Sequence, residues 1–536
     1  MSVSLQRFRP ALGTLLLLTL VALPAAAQDW PRWGRTHHNN MAAPGAKELP
    51  ASFKIGDFVG NTDDIELEQC ANVRWIAKLG SQSYGNPTVA GGRVFVGSNN
   101  DQPRDEKFTG DRSLVYCFDE KTGEYLWQFN VPKLGAGKVS DWEFLGICSS
   151  PTVEGDRVYL VTNLCEVVCL DVNGFADGND GMKEEAAYYG GRGNEPIQPG
   201  DKDADIIWVF DMIGECGVSP HNVTSSSVMV LGDQVWATTS NGVDYGHVDM
   251  PNPYAPSLIV LDKETGKLIG EEFSGLGERT FHCTWSSPSA MTVGKKDLVV
   301  YGGPDGFIYG FDTQPVFNED EELNVLKEVW RCDANLPSYR TKDGEPIKYG
   351  TRNGPNEFIA SPVVFDGKVY GIIGQDPEHG EGVGNLVCVD PTKKGEDGKV
   401  EVRKGDITDS GVVWQYSDIH RSISTPSIVD GLVYVADYSG FVYCLDAKTG
   451  KLYWKYDTFG HIWGSTLVAD GKVYIGNEDG FITILAAGKE MKKLAEIDMK
   501  APVYSSPIVA NGVLYIATQT HLFAVEKGAG TPSRVN

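Results

Sequence analysis

With 536 residues, 41% of them hydrophobic and 10% aromatic, the chain is too apolar for disorder and long enough to bury a large core. A formal net charge of -25 excludes nucleic acid and anionic lipid surfaces as favoured partners. No stretch after residue 27 approaches the length of a membrane span.

Residues 1–27 read as a secretory signal peptide. Arg7 and Arg9 supply the basic start, Leu12–Ala22 the apolar run, and Ala25-Ala26-Ala27 a small-residue cleavage site. The mature protein is therefore expected to begin near Gln28, soluble and secreted to the periplasm or the cell exterior. Residues 28–70 form an arm of low periodicity, with Trp30 and Trp33 near its start. This arm is expected to pack across the rest of the molecule as irregular structure.

From residue 71 to 527 one unit recurs. Its clearest copy is Ser422–Trp454, SISTPSIVDGLVYVADYSGFVYCLDAKTGKLYW. Short runs rich in β-branched and aromatic residues are closed by Asp430-Gly431, by Tyr438–Gly440 and by Asp446–Gly450. Gly admits positive φ at such turns, and Asp can accept from the backbone just ahead of it. Four antiparallel strands in this order make one up-and-down sheet, which buries both faces only when copies stack on it. The first-strand anchor recurs at Pro87, Pro151, Val228, Pro288, Pro362, Pro426, Thr466 and Pro507. The last two spacings, 40 and 41 residues, are the bare period of a propeller blade, and the longer ones carry insertions. An outer-strand Trp follows at Trp127, Trp208, Trp330, Trp414 and Trp454.

The eighth copy lacks its outer strand. Asn72–Leu79, with Trp75 at the matching place, is predicted to supply it and to close the ring, which removes exposed sheet edges. Residues 528–536 are expected to be a flexible tail. Insertions are expected at Gly174–Asp205, at Phe317–Leu326 as a helical turn or two, and at Pro391–Gly411 as a charged hairpin. Cys117, Cys169, Cys388 and Cys444 share one repeat position, which marks a small core residue rather than a disulfide framework.

Eight repeats of the type VADYSGFVYCLDAKTGKLYW (residues 435–454) behind a signal peptide resemble the pyrroloquinoline-quinone-like (PQQ-like) β-propeller repeat family. That superfamily includes quinoprotein alcohol dehydrogenases and the outer-membrane assembly propeller. Thr239–Asp244 and Gln375–Gly384 resemble stretches of a group of exported bacterial propellers without a settled activity. The resemblance implies an all-β fold, an eight-bladed propeller. For a quinoprotein it also implies a vicinal disulfide and an Asp base beside Ca²⁺. Here Cys148 in GICSSP stands alone, and no Cys-Cys pair occurs anywhere.

Loops entering the innermost strands should form one channel mouth. Three residues before the anchors stand Tyr84, Cys148, Ser225, Trp285, Ile359, Ile423, Trp463 and Tyr504. Further upstream, four entry loops carry His221, His282, His420 and His461, with Arg421 beside them. Aromatic walls with titratable groups suit a flat conjugated ligand or a metal, and Arg421 could pair with a quinone carboxylate. Glu143, Asn356 and Glu357 offer hard oxygen ligands for Ca²⁺. The favoured function is a non-catalytic binding or scaffold protein, monomeric, whose mouth and insertions hold an envelope protein or a small ligand. One alternative is a PQQ- or metal-dependent oxidoreductase acting on alcohols or sugars. A second is a carbohydrate-binding accessory.

Overall fold

The structure is a computed structural model that describes residues 1, 28–393 and 411–535. The signal peptide and most of the Pro391–Gly411 insertion lie outside the described residues. Eight antiparallel sheets are arranged as the blades of a ring. The inner strands are Thr88–Ala90, Thr152–Glu154, Met229–Leu231, Ser289–Val293, Val363–Phe365, Ser427–Val429, Leu467–Ala469 and Ile508–Ala510. Each begins on the residue after its anchor, and they number blades 1 to 8 in chain order.

Blade 6 shows how the repeat folds. Ser427–Val429, Leu432–Ala436, Phe441–Asp446 and Leu452–Asp457 pair in succession. Asp430 and Gly431 both take positive φ, at 50° and 74°, as a two-residue hairpin with native twist requires. Asp446 Oδ1 accepts from the backbone N–H groups of Lys448 and Thr449 and from the Thr449 hydroxyl, each at 3.0 Å.

Adjacent blades bury their faces against each other. Phe95, Val115 and Cys117 of blade 1, for instance, share a cluster with Val158, Leu160, Val168 and Leu170 of blade 2. All ten cysteines are free thiols. The recurrent Trp is the docking element. Trp414 Nε1 donates to the Ala447 carbonyl of the next blade at 2.9 Å, and Trp208 Nε1 to that of Lys263 at 3.1 Å. Each indole lies on the glycine that ends the neighbour's Asp-turn. A Cβ on Gly450 would stand 2.6 Å from the Trp414 ring, so a bare backbone is required there.

The ring closes with one strand from near the N-terminus. Val73–Lys78 pairs antiparallel with His521–Val525, and the Trp75 and Tyr515 rings are 5.9 Å apart. Arg74 clasps Glu526 through two hydrogen bonds of 2.6 Å. Two expectations need correction. The tail is not loose throughout, because Ser533–Val535 pairs parallel to the outer edge of Val73–Lys78. The acidic insertion is not helical. Val316–Asn318 and Leu323–Leu326 form a hairpin, and the second strand adds parallel to Leu268–Glu272 of blade 3. Val316, Phe317 and Val325 favour strand, and the open edge of blade 3 offers backbone partners.

The arm makes a lap around one end of the channel. Trp30 exchanges backbone hydrogen bonds with Val89 of blade 1, and Pro31 accepts from Val153 of blade 2. His37 accepts from Ala290 of blade 4, His38 from Val364 of blade 5 and Met41 from Val468 of blade 7. The Asn40 carboxamide binds both backbone groups of Ile428 in blade 6, each at 2.8 Å. Every blade residue in this series lies two places after its anchor. The inner edges of these six blades, which would otherwise lack partners, are thereby satisfied from inside the ring.

Candidate functional site

The opposite end of the channel is open. Its cavity, of about 560 Å³, is lined by all eight residues that precede the anchors by three. Tyr84 and Tyr504 stack at 4.8 Å, and Trp463 meets Tyr504 edge-on at 5.1 Å. These three come from blades 1, 7 and 8. Trp285 of blade 4 faces them across the axis, held by its Nε1 donating to the Val223 carbonyl at 2.9 Å. The result is a slot with aromatic walls. Trp33 of the arm forms its floor and donates to the Ser361 hydroxyl at 3.0 Å.

Below the aromatic ring runs a belt of hydrogen bonds that sequence reasoning missed. In seven of the eight blades the residue before the anchor donates its backbone N–H to the side chain of its equivalent in the next blade. Ser150 donates to Ser227 (3.0 Å), Ser227 to Ser287 (2.9 Å) and Ser287 to Ser361 (3.3 Å). Ser361 donates to Thr425 (3.0 Å), Thr425 to Ser465 (2.8 Å) and Ser465 to Ser506 (2.7 Å). Ser506 donates to Asn86, whose carboxamide returns to Ser150 at 3.3 Å. The belt fixes the depth and diameter of the slot. Its signal was present as a small hydroxyl or amide residue at one fixed repeat position.

The four entry-loop histidines divide into two pairs. His420 Nδ1 lies 3.0 Å from buried Asp437, which holds its pKa above the ordinary value, and Tyr443 donates to the same carboxylate at 2.7 Å. His461 stacks flat on Tyr438 at 4.5 Å on the rim. His221 and His282 are buried, with ring centroids 4.5 Å apart. His247 and His379 join them from the loops after the second strands of blades 3 and 5. His379 lies within the Gln375–Gly384 stretch that carries the family resemblance. His247 did not, because its place in the ring of blades cannot be read from repeat spacing.

The oxygen trio expected to hold Ca²⁺ is not brought together. Glu143 is exposed, whereas Asn356 and Glu357 are buried. Glu357 accepts from the Tyr349 hydroxyl at 2.6 Å, and burial raises its pKa far above the carboxylate range. Asn356 donates to the Val383 carbonyl at 2.9 Å. Arg421 does not face the slot either. Its guanidinium binds the carbonyls of His379 and Gly380 at 3.2 Å each, and that of Thr351, bracing the 375–384 loop.

The lining therefore does not suit PQQ. It contains Asp376 and Glu378 but no lysine or arginine to meet a tricarboxylate. Cys148 stands alone in the wall, and burial pushes its thiol up to about 12, so it is protonated at neutral pH.

Among solved structures, the chain is similar to BamB from Moraxella catarrhalis (TM-score 0.51, 13% identity), covering 85% of this chain and 98% of that one. It is also similar to a quinohemoprotein alcohol dehydrogenase from Pseudomonas putida HK5 (TM-score 0.57, 14% identity), covering 95% and 81%. At such identities the likeness shows the fold alone. No curated protein matches the sequence. Among the described residues no helix is long and apolar enough to cross a membrane. The sequence model of the family described as outer membrane protein assembly factor BamB matches residues 71–281 and 396–494. Because those two segments make up more than half of its length, and eight blades close as the repeats require, the chain belongs to that family of PQQ-like propellers.

Proposed function

We propose that the protein is a non-catalytic binding propeller of the cell envelope, which grips an apolar or aromatic element of a partner protein in its open mouth. The observation that supports this reading is the slot itself. It is concave and aromatic-walled, floored by Trp33 and open to solvent on one side. Aromatic side chains in a water-poor pocket are the usual anchors of protein recognition. The same lining is poorly equipped for nucleophilic turnover, since its thiol is protonated. The family description, an assembly factor of the outer membrane, fits a protein that works by holding others.

The test places a photo-crosslinking phenylalanine analogue at Tyr504 in envelope-expressing cells. A discrete protein adduct is expected from the slot, and it should disappear when Trp285→Ala and Trp463→Ala are combined. The reading fails if no protein adduct forms at Tyr504, or if the double variant gives the same adduct as the parent. Retention on glycan resin that is lost in the double variant would favour the carbohydrate alternative instead.

A further inference from the structure

Beside the slot, behind Trp285, lies a cluster of imidazoles that the binding reading does not use. His221 comes from the entry loop of blade 3 and His282 from that of blade 4. His247 comes from an exposed loop of blade 3. The ring centroids are 4.5 Å (His221–His282), 4.8 Å (His247–His282) and 4.9 Å (His221–His247) apart. One ring nitrogen from each lies within 4.8 Å of the other two. Among the described residues this is the one group of three or more His, Cys, Asp or Glu side chains close enough to share an ion.

The nitrogens are oriented in a particular way. His221 Nδ1 donates to the Val243 carbonyl at 2.6 Å, which places the proton there and leaves Nε2 as a lone pair. That Nε2 is buried and has no hydrogen-bond partner. His282 is 1% exposed, and neither of its nitrogens has a partner. Its Nδ1 faces Glu357 and Asp376, at 3.8 Å from each carboxylate. Buried polar atoms are almost always satisfied, and leaving one unsatisfied costs about 1–3 kcal/mol. Two adjacent imidazoles with idle nitrogens therefore require an account beyond packing. Holding Nδ1 by a backbone carbonyl while Nε2 is left free, as in His221, is the outer-shell arrangement of histidine metal ligands.

We propose that His221, His247 and His282 form a binding site for a late first-row divalent cation of the zinc class. Three imidazoles select such a metal over Ca²⁺ or Mg²⁺, which take oxygen ligands. A tetrahedral site with bonds of ~2.1 Å needs ligand separations of roughly 3.4 Å. His247 sits on an exposed loop, the part of the cluster freest to close that difference. His379 is available for the fourth corner, its ring 5.6 Å from His282 and its Nδ1 also without a partner. The site sits against the slot wall, because the His282 and Trp285 rings meet edge-on at 5.2 Å. A bound cation would thus stiffen the wall that the partner contacts.

The experiment uses the full mature chain, stripped with a chelator and desalted, then titrated separately with Zn²⁺ and Co²⁺. One equivalent should bind per chain, with Zn²⁺ dissociation below the micromolar range. Co²⁺ should develop the visible absorption of a four-coordinate nitrogen site. His247→Ala changes only an exposed loop residue, so the fold should survive, as circular dichroism would verify. Zn²⁺ affinity should then fall at least ~100-fold. His461→Ala, on the same rim but stacked on Tyr438, should bind as the parent does. The proposal is overturned if the parent binds no Zn²⁺ at ten-micromolar metal. It is equally overturned if His247→Ala retains parental affinity, or if His461→Ala loses it.

Discussion

The two ends of the channel are built from the same eight strands, yet one is sealed and the other open. At the sealed end, residues two places after the anchors present backbone groups, and the arm pairs with them almost blade by blade. At the open end, residues three places before the anchors present side chains, and these face solvent in the slot. Backbone positions are uniform across repeats, so one strap can bind them all. Side chains at the mouth run Tyr, Cys, Ser, Trp, Ile, Ile, Trp, Tyr, and that irregularity makes a slot rather than a symmetric hole. The same repeat thus supplies closure where its copies agree and selectivity where they differ.

The largest effect should follow removal of the strap. Deleting residues 28–43 strips Trp30 and Met41 from the core and leaves inner edges unpaired. At about 1.5–3 kcal/mol per large buried side chain, the loss should be on the order of 5–10 kcal/mol. Urea unfolding of the truncated chain measures it. An unchanged midpoint would mean that the two ends are not energetically different.

Next comes the blade contact that both ends share. Gly450→Val adds a branched side chain at φ 69°, where even a Cβ would stand 2.6 Å from the Trp414 ring, and should cost about 3 kcal/mol. Gly431→Ala, at φ 74° with open space around it, should cost only about 1 kcal/mol. Gly450→Ala, matched to Gly431→Ala in side chain and in φ, separates the indole contact from backbone strain.

These contrasts show what the sequence made legible. The Trp and the Asp-turn recur in most copies because several blades dock through the same indole contact, as Trp208 and Trp414 do, so blade number and ring closure could be read from spacing. The slot wall was legible for the same reason: Tyr84, Trp285, Trp463 and Tyr504 hold one repeat position. The hydroxyl belt was equally periodic but is made of Ser and Thr, which are common enough near turns to pass unnoticed. The arm's lap was not legible, because Asn40 imitates a strand with its carboxamide and leaves no periodic trace. Arg421 misled for a related reason. Its entry-loop position is correct, but its direction is set by the carbonyls of Thr351, His379 and Gly380 in loops remote in sequence.

On the open side the closing strand ends where Lys78 pairs with His521. His521 is buried, and desolvation pushes it down to about 4, while Asp63 and Asp64 oppose that shift and Lys78 and Arg534 add to it. The folded state thus stays neutral where the unfolded chain takes up a proton. Stability from this group is fully present above pH 6.5 and is lost as pH falls from 6.5 toward 4, by up to about 3 kcal/mol. His521→Gln should flatten the pH dependence of unfolding across that window. A parental slope in the variant would place the titration elsewhere.

The smallest effect on stability should be the most informative about the slot. Trp463 is only partly buried, and its Nε1 donates to Glu478 on the rim at 2.8 Å. Its neighbours Tyr84 and Tyr504 remain stacked without it. Trp463→Ala should therefore change the unfolding free energy by less than about 1 kcal/mol. Capture of the partner at the Tyr504 crosslinking position should nevertheless drop at least tenfold, because one wall of the slot is gone. If stability falls as steeply as in the arm deletion, the aromatic ring is a structural plug and the open end is only a second seal.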